Sequence, residues 1–380
     1  MFNSGVSGAF TSCEEGTGII SRFQFFLLAV NFILGTTLFV QIQILIEQGK
    51  QDAWLMPWWA GAFGIAASLV WIVLHRHYPG KSLAQIPILA LGRPLGMAIS
   101  MLYFLHFCIL AGWVLRNLSD FLNGTIMPQT PGVVFYVMFL FVAAFTVAQG
   151  VETVARLNQF VTPFLFFPFW FVLLLASKDW SWDRFQPALH TDIWGTILHN
   201  HSFLGFPFME TLTLMMFFPH IQKDGAGRSL ILGIAAGAVS LSLILYMLIG
   251  LLGVERASKL TYPVYTVVQE VSLGEVVENI HSIISVVLLI LIFIKTLVLV
   301  YGAHALLNQV FRTETNWPFY LAISVLMAAS AESIYVNPIQ NNEWSSHYTF
   351  VYDTFFALVI PGVLLAATRV KNAVQKGRKR

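Results

Sequence analysis

Charged side chains are scarce in this 380-residue chain. Asp, Glu, Lys and Arg together make up 11% of it, against about 25% in a soluble domain. Hydrophobic residues reach 57%, and the mean hydropathy is +0.72. A soluble fold has to face water with polar groups, and this sequence has too few to cover its exterior. A bilayer removes that requirement, because lipid-facing helix surfaces are themselves apolar. The chain therefore reads as a polytopic α-helical membrane protein.

The other shortages exclude whole classes of function. A net charge of +2 carries no signal for nucleic acid. The two cysteines, Cys13 and Cys108, are far apart, and Cys108 sits in an apolar run; neither a disulfide framework nor a metal site fits that spacing. No Ser/His/Asp set, P-loop, dinucleotide fingerprint or zinc motif is present, so no enzyme and no cofactor are expected. Met1–Gly18 is polar and rich in Gly and Ser, without the basic start and short apolar core of a cleavable signal. The first apolar run, from Ile19, is expected to remain as a membrane anchor.

A helical span needs roughly 20 mostly apolar residues. Ten stretches qualify: Ser21–Ile46, Trp54–Leu74, Leu95–Leu122, Val133–Gln149, Phe160–Ala176, Ile193–Phe218, Ser229–Gly253, Ile280–Leu306, Trp317–Ala331 and Phe350–Val370. This predicts a short N-terminal segment (1–20), one transmembrane domain (21–370) and a basic tail (371–380). With ten spans both termini lie on one side. Most of the 21 Lys and Arg residues fall there, chiefly through the tail, so the positive-inside rule places both termini in the cytoplasm. Glu255–Glu278, between spans seven and eight, is mixed in polarity and reads as either a surface helix or a plain loop.

Two spans carry backbone-breaking residues near their middles. The first contains Asn31-Phe-Ile-Leu-Gly35-Thr36-Thr37 and the sixth Phe203-Leu-Gly205-Phe206-Pro207-Phe-Met-Glu210. In a division of five plus five, these are the first spans of each half. Interrupted helices in corresponding places point to an inverted repeat of the LeuT type, with helices 1 and 6 discontinuous and a site at the midplane. Gly and Pro also serve plain helix packing in membranes.

Glu210 and Lys295 are the charges expected to stay deep inside. A carboxylate or ammonium at this depth is expensive and functional by default, although Glu210 tied to free backbone groups, or a structural ammonium at Lys295, fits the sequence as well. Thr296 and Tyr301 follow on the same span as Lys295. Tyr103 and His106, three residues apart on the third span, share a helix face; they either line a cavity or pack. His199 and His201 precede the sixth-span break but point to different faces, which argues against a joint metal site.

These residues carry a resemblance. Ile20-Ser-Arg-Phe-Gln24 leading into Asn31–Gly35, Lys81-Ser-Leu through Leu91-Gly92, Phe206-Pro-Phe-Met-Glu210 with Phe218-Pro219, and Tyr262-Pro-Val-Tyr265 followed by Phe293-Ile-Lys295 resemble the integral-membrane B subunit of the germinant receptors of bacterial spores. That family lies within the amino acid–polyamine–organocation superfamily. The resemblance implies a fold similar to sodium-coupled amino acid transporters and a role in sensing a small nutrient, often an amino acid, at the spore inner membrane. It also implies A-type and lipoprotein C-type partner subunits. The pocket is expected among spans one, three, six and eight, with Gly35, Thr36, Gly205, Phe206, Glu210, Lys295 and Thr296 as its residues. A proton-coupled amino acid transporter of the same superfamily is the alternative. Three positions depart from the family pattern: Met209 stands where Gly is usual before the sixth-span Glu, and Asn279 and His281 replace an Arg and a Glu at the start of the eighth span.

Overall fold

The computed structural model describes residues 19–187, 195–196, 200–222, 225–270, 280–311 and 317–378. All helices and no strands occur among them, apart from an isolated backbone bridge between Ile20 and Ile221. Ten spans follow one another: α1 Arg22–Gly49, α2 Met56–His77, α3 Arg93–Thr125, α4 Gly132–Ala148, α5 Val151–Ala176, α6 His201–His220, α7 Ala226–Leu252, α8 Ile280–Phe311, α9 Trp317–Ser333, and α10, whose halves Pro338–Thr354 and Ile360–Arg378 are joined by a π-helical turn at Phe355–Val359. Seven runs are long and apolar enough to cross a membrane, the first of them, Arg22–His77, holding both α1 and α2. The chain is a multi-pass membrane protein. The polar stretch after α7 holds two short helices, Val254–Ala257 and Pro263–Glu270; 271–279 lies outside the described residues, as do Cys13, His199, Asn279 and the side chain of His281.

α1 is the central strut. It opens with a capping box, in which the Ser21 hydroxyl accepts from the Gln24 backbone and the Gln24 side chain accepts from the Ser21 N–H. Nearly every residue from Phe25 to Phe39 is buried, as expected of a helix that is apolar all round. The expected interruption of this helix is not found: α1 runs unbroken through Gly35 and Thr37. The Thr37 hydroxyl donates back to Ile33 O at 2.5 Å, and Gly35 serves close approach instead. A Cβ at Gly35 would lie 3.2 Å from both Cβ and Cδ of Lys295 on α8.

α6 is broken, for reasons written in its sequence. Its first part is a helix, His201–Gly205. Pro207 disfavours the helical conformation at the residue before it, and Phe206 turns extended (φ −92°, ψ 123°). The chain resumes as a 3₁₀ helix, Met209–His220, a form seldom sustained beyond three or four residues. Its far end is tied to the start of α1: Ile20 N–H donates to His220 O at 2.9 Å and Gln222 N–H to Ile20 O at 3.1 Å.

α10 starts at Pro338, well before the expected Phe350, because its first turns are polar and escape a hydropathy reading. Its π-helical turn leaves carbonyls without their usual partners. Two side chains take them up: Tyr103 Oη donates to Phe356 O at 3.0 Å and Trp71 Nε1 to Ala357 O at 2.5 Å. α3 and α2 thereby hold the irregular part of α10.

Small residues let the helices approach closely. Gly233 on α7 faces α1 so tightly that a Cβ there would sit 2.5 Å from Ala29 Cβ and 3.3 Å from Phe26 O. Gly233→Leu is expected to force α1 and α7 apart and lower stability by about 1–3 kcal/mol or more, seen as a fall in Tm of the detergent-solubilised protein. Leu232→Ala, one residue away on a side chain that is 50% exposed, is expected to stay within about 0.5 kcal/mol of the parent.

Candidate functional site

At the break in α6 a narrow cleft opens between α1, α3, α6 and α10, with Thr36, Trp113, Phe206, Glu210, Tyr352 and Asp353 among its walls. At its base lies an ion pair with almost no access to solvent. Lys295 is 0% exposed and Glu210 7%. The Lys295 ammonium stands 2.5 Å from Glu210 Oε2 and donates to Thr36 Oγ1 at 3.0 Å. It also lies 5.0 Å from the ring centroid of Phe32 and 4.6 Å from that of Phe206, within cation–π range. Three helices therefore meet on one ammonium: α8 supplies it, α6 its counter-charge, and α1 a hydroxyl and the Gly35 notch that admits its stem. A buried charge of either sign is tolerated only when paired and hydrogen-bonded.

The residues singled out in the sequence divide into three groups. Thr36, Phe206 and Glu210 line the cleft. Lys295, Gly35 and Gly205 lie just behind that lining; a Cβ at Gly205 would fall 2.8 Å from Asp353 Oδ2. Asn31, Tyr103 and His106 brace neighbouring helices, and Thr296 bonds within its own. Asn31 Nδ2 donates to Asn158 Oδ1 and Thr162 Oγ1 on α5, both at 2.8 Å. His106 stacks on Phe356 with centroids 3.9 Å apart and shares a 2.9 Å hydrogen bond with the Tyr352 hydroxyl. Thr296 Oγ1 donates back to Ile292 O at 2.9 Å. Tyr301 pairs with His220 Nε2 at 2.9 Å, beyond the cleft, and the His201 ring meets Phe350 edge-on.

Two features were not foreseen. The fourth wall is α10, while α8 contributes only the Lys295 ammonium beneath Glu210. Glu210 and Lys295 are also not alone at depth: Asp353 on α10 is 3% exposed and lines the same cleft. The signal for it was present, since Asp353 falls in the first turn of the stretch Phe350–Val370 read as a span. Met209, where Gly is usual, is turned toward α10 and receives the Thr354 hydroxyl on its sulfur at 3.7 Å. It is buried and fills helix packing rather than the cleft.

Comparison with known proteins agrees with this architecture. The pattern of the family described as spore germination protein (Spore_permease) matches residues 19–340, and the chain belongs to that family. Among curated proteins of Bacillus subtilis (strain 168), spore germination protein KB is 24% identical over 320 residues, covering 81% of this chain and 84% of that protein. Spore germination protein B2 is 21% identical over 358 residues, covering 93% and 96%. Spore germination protein YndE is 21% identical over 301 residues, covering 78% and 83%. Among solved structures, that of MhsT in complex with L-phenylalanine superposes with a TM-score of 0.61 at 14% identity, over 94% of this chain and 98% of MhsT. That likeness shows the fold, the ten-helix five-plus-five arrangement expected from the spans.

The ion pair makes a direct prediction. Lys295→Met leaves Glu210 buried and unpaired and is expected to cost about 3–5 kcal/mol, read as a lowered Tm of the purified protein. The double variant Lys295→Met/Glu210→Leu is expected to recover part of that loss. If the double variant is less stable than the single by the full additive amount, the two groups are not coupled.

Proposed function

We propose that this member of the spore germination protein family is the membrane-embedded, ligand-sensing subunit of a nutrient receptor, and that a small amino-acid-like germinant binds in the cleft at the α6 break. The observation that carries the reading is the convergence of α1, α6 and α8 on the Lys295–Glu210–Thr36 cluster beside an interrupted helix. Such clusters in a membrane mark a site. The fold shared with MhsT, whose structure holds L-phenylalanine, supports an amino acid as the class of ligand.

In this reading Thr36, Phe206 and Glu210 touch the germinant, while Gly35, Gly205 and Lys295 set the shape and charge of the floor. Tyr103 and His106 hold α10 in place, Asn31 ties α1 to α5, and Thr296 stands beside Lys295 on α8. The ligand acts by binding one arrangement of α6 and α10 better than another, because only differential affinity shifts an equilibrium. An A-type and a C-type subunit convert that shift into germination. The protein resides in the spore inner membrane, and its basic tail, like its N-terminus, faces the cytoplasm.

The broken α6 also suits alternating access, so a transporter of the same superfamily is the second reading. Glu210→Gln and Gly35→Leu are each expected to raise the nutrient concentration for half-maximal germination tenfold or more, which corresponds to about 1.4 kcal/mol, with the protein still present in the membrane by immunoblot. Parent-like responses from both variants contradict the site. Saturable uptake of labelled L-amino acids into liposomes holding this chain alone contradicts the receptor-only reading in favour of the transporter.

A further inference from the structure

Two carboxyls face the cleft and one ammonium stands beside it. That ammonium is committed: Lys295 holds Glu210 at 2.5 Å and Thr36 at 3.0 Å and is walled in by Phe32 and Phe206. It is therefore not the anchor for an incoming anion. Asp353 is in the opposite situation. Its side chain is 97% removed from solvent (3% exposed), it lines the cleft, its Oδ2 has no hydrogen-bond partner, and it takes part in no ion pair among the described residues. A buried polar atom left unpartnered costs about 1–3 kcal/mol, and more when charged.

The cleft that Asp353 lines also carries an aromatic side. Trp113 and Trp344 have ring centroids 4.5 Å apart, and Tyr352 stands 5.8 Å from Trp344 and 6.1 Å from Trp113. All three rings line the cleft. They are held in place, Tyr352 by the His106 imidazole at 2.9 Å and Trp113 by Asn341 Oδ1 at 3.1 Å. A carboxyl without a partner, in a cleft that also presents electron-rich rings, is complementary to a cation.

We infer that Asp353 is the receptor for the ammonium group of the bound ligand, with Trp113, Trp344 and Tyr352 enclosing that group, so that the cleft reads primary amines by their cationic end. The inference rests on the reading of this cleft as the nutrient site, and it names the residue that selects within it. Gly205 is part of the device, because any larger residue would press on Asp353 Oδ2.

The test is a thermal-shift titration of the full chain in detergent. Its probes are the common L-amino acids, isoamylamine and phenethylamine (amines without the carboxylate), and 4-methylpentanoate and 3-phenylpropanoate (acids without the amine). The expected result is stabilisation by compounds carrying the ammonium and none by the two acids. Asp353→Asn is expected to weaken the apparent affinity of the best amine-bearing probe by about ten- to a hundredfold, the worth of a hydrogen bond to a charged group, while the empty variant melts no lower than the parent. Trp344→Leu, which leaves the carboxyl in place, is expected to weaken the same probe severalfold. Equal binding of acids and amino acids, an undiminished response in Asp353→Asn, or no amine-dependent shift in the parent overturns the inference. A response to simple amines without any response to amino acids keeps Asp353 as the cation receptor and removes the amino-acid reading instead.

Discussion

The constraint on which the structure depends is the Lys295 ammonium, held where neither water nor lipid can solvate it. In hydrocarbon an isolated ammonium is unaffordable, so each neighbouring element must offer it something. Glu210 gives a counter-charge, Thr36 a hydroxyl oxygen, and Phe32 and Phe206 their ring faces. Gly35 gives the room for the stem. These contributions come from α1, α6 and α8, which are distant in sequence. A pair of this kind is weak evidence for net stability, because its desolvation offsets much of its attraction. Its effect is to fix which helices meet and in what register.

The cleft follows from that register. Glu210 meets Lys295 just past the point where α6 gives up regular helical form, at Gly205-Phe206-Pro207. The 3₁₀ stretch beyond the break turns Glu210 toward α8 and leaves space toward α10. The irregular α10 is supported in turn by donors aimed at the carbonyls of its π-helical turn, from Tyr103 and Trp71. Two elements that depart from α-helical form thus face each other across one cavity. Irregular backbone at this depth is tolerated where it lines a cavity or is packed in protein.

Much of this was legible from the residues, and the rest was obscured for identifiable reasons. The ten spans follow from long apolar runs. The break in α6 was signalled by Gly205 and Pro207 together, the proline disfavouring a helical Phe206; a proline alone does not decide it, since Pro163 and Pro168 lie inside an unbroken α5. Gly35 was ambiguous, because a glycine in a membrane helix marks either a break or a close approach; the partner that decides between them, Lys295, lies 260 positions away and is invisible to local pattern. The role of α10 was hidden because its first turns, from Pro338 to Tyr348, look like a loop on hydropathy alone. Asp353 was overlooked beside Glu210 and Lys295 because it stands at the edge of its apolar run rather than within it. Hydropathy measures how apolar a segment is and carries no information on which face of it meets a cavity.

The most direct measurement is a structure of the full chain determined in lipid nanodiscs with a stabilising amino acid at saturating concentration. Density for the amino acid in the cleft bounded by Thr36, Phe206, Glu210 and Asp353, above an intact Lys295–Glu210 pair, is the expected result. An amino acid bound outside that cleft, or a Lys295 ammonium released from Glu210 to hold the ligand's carboxylate, would contradict it.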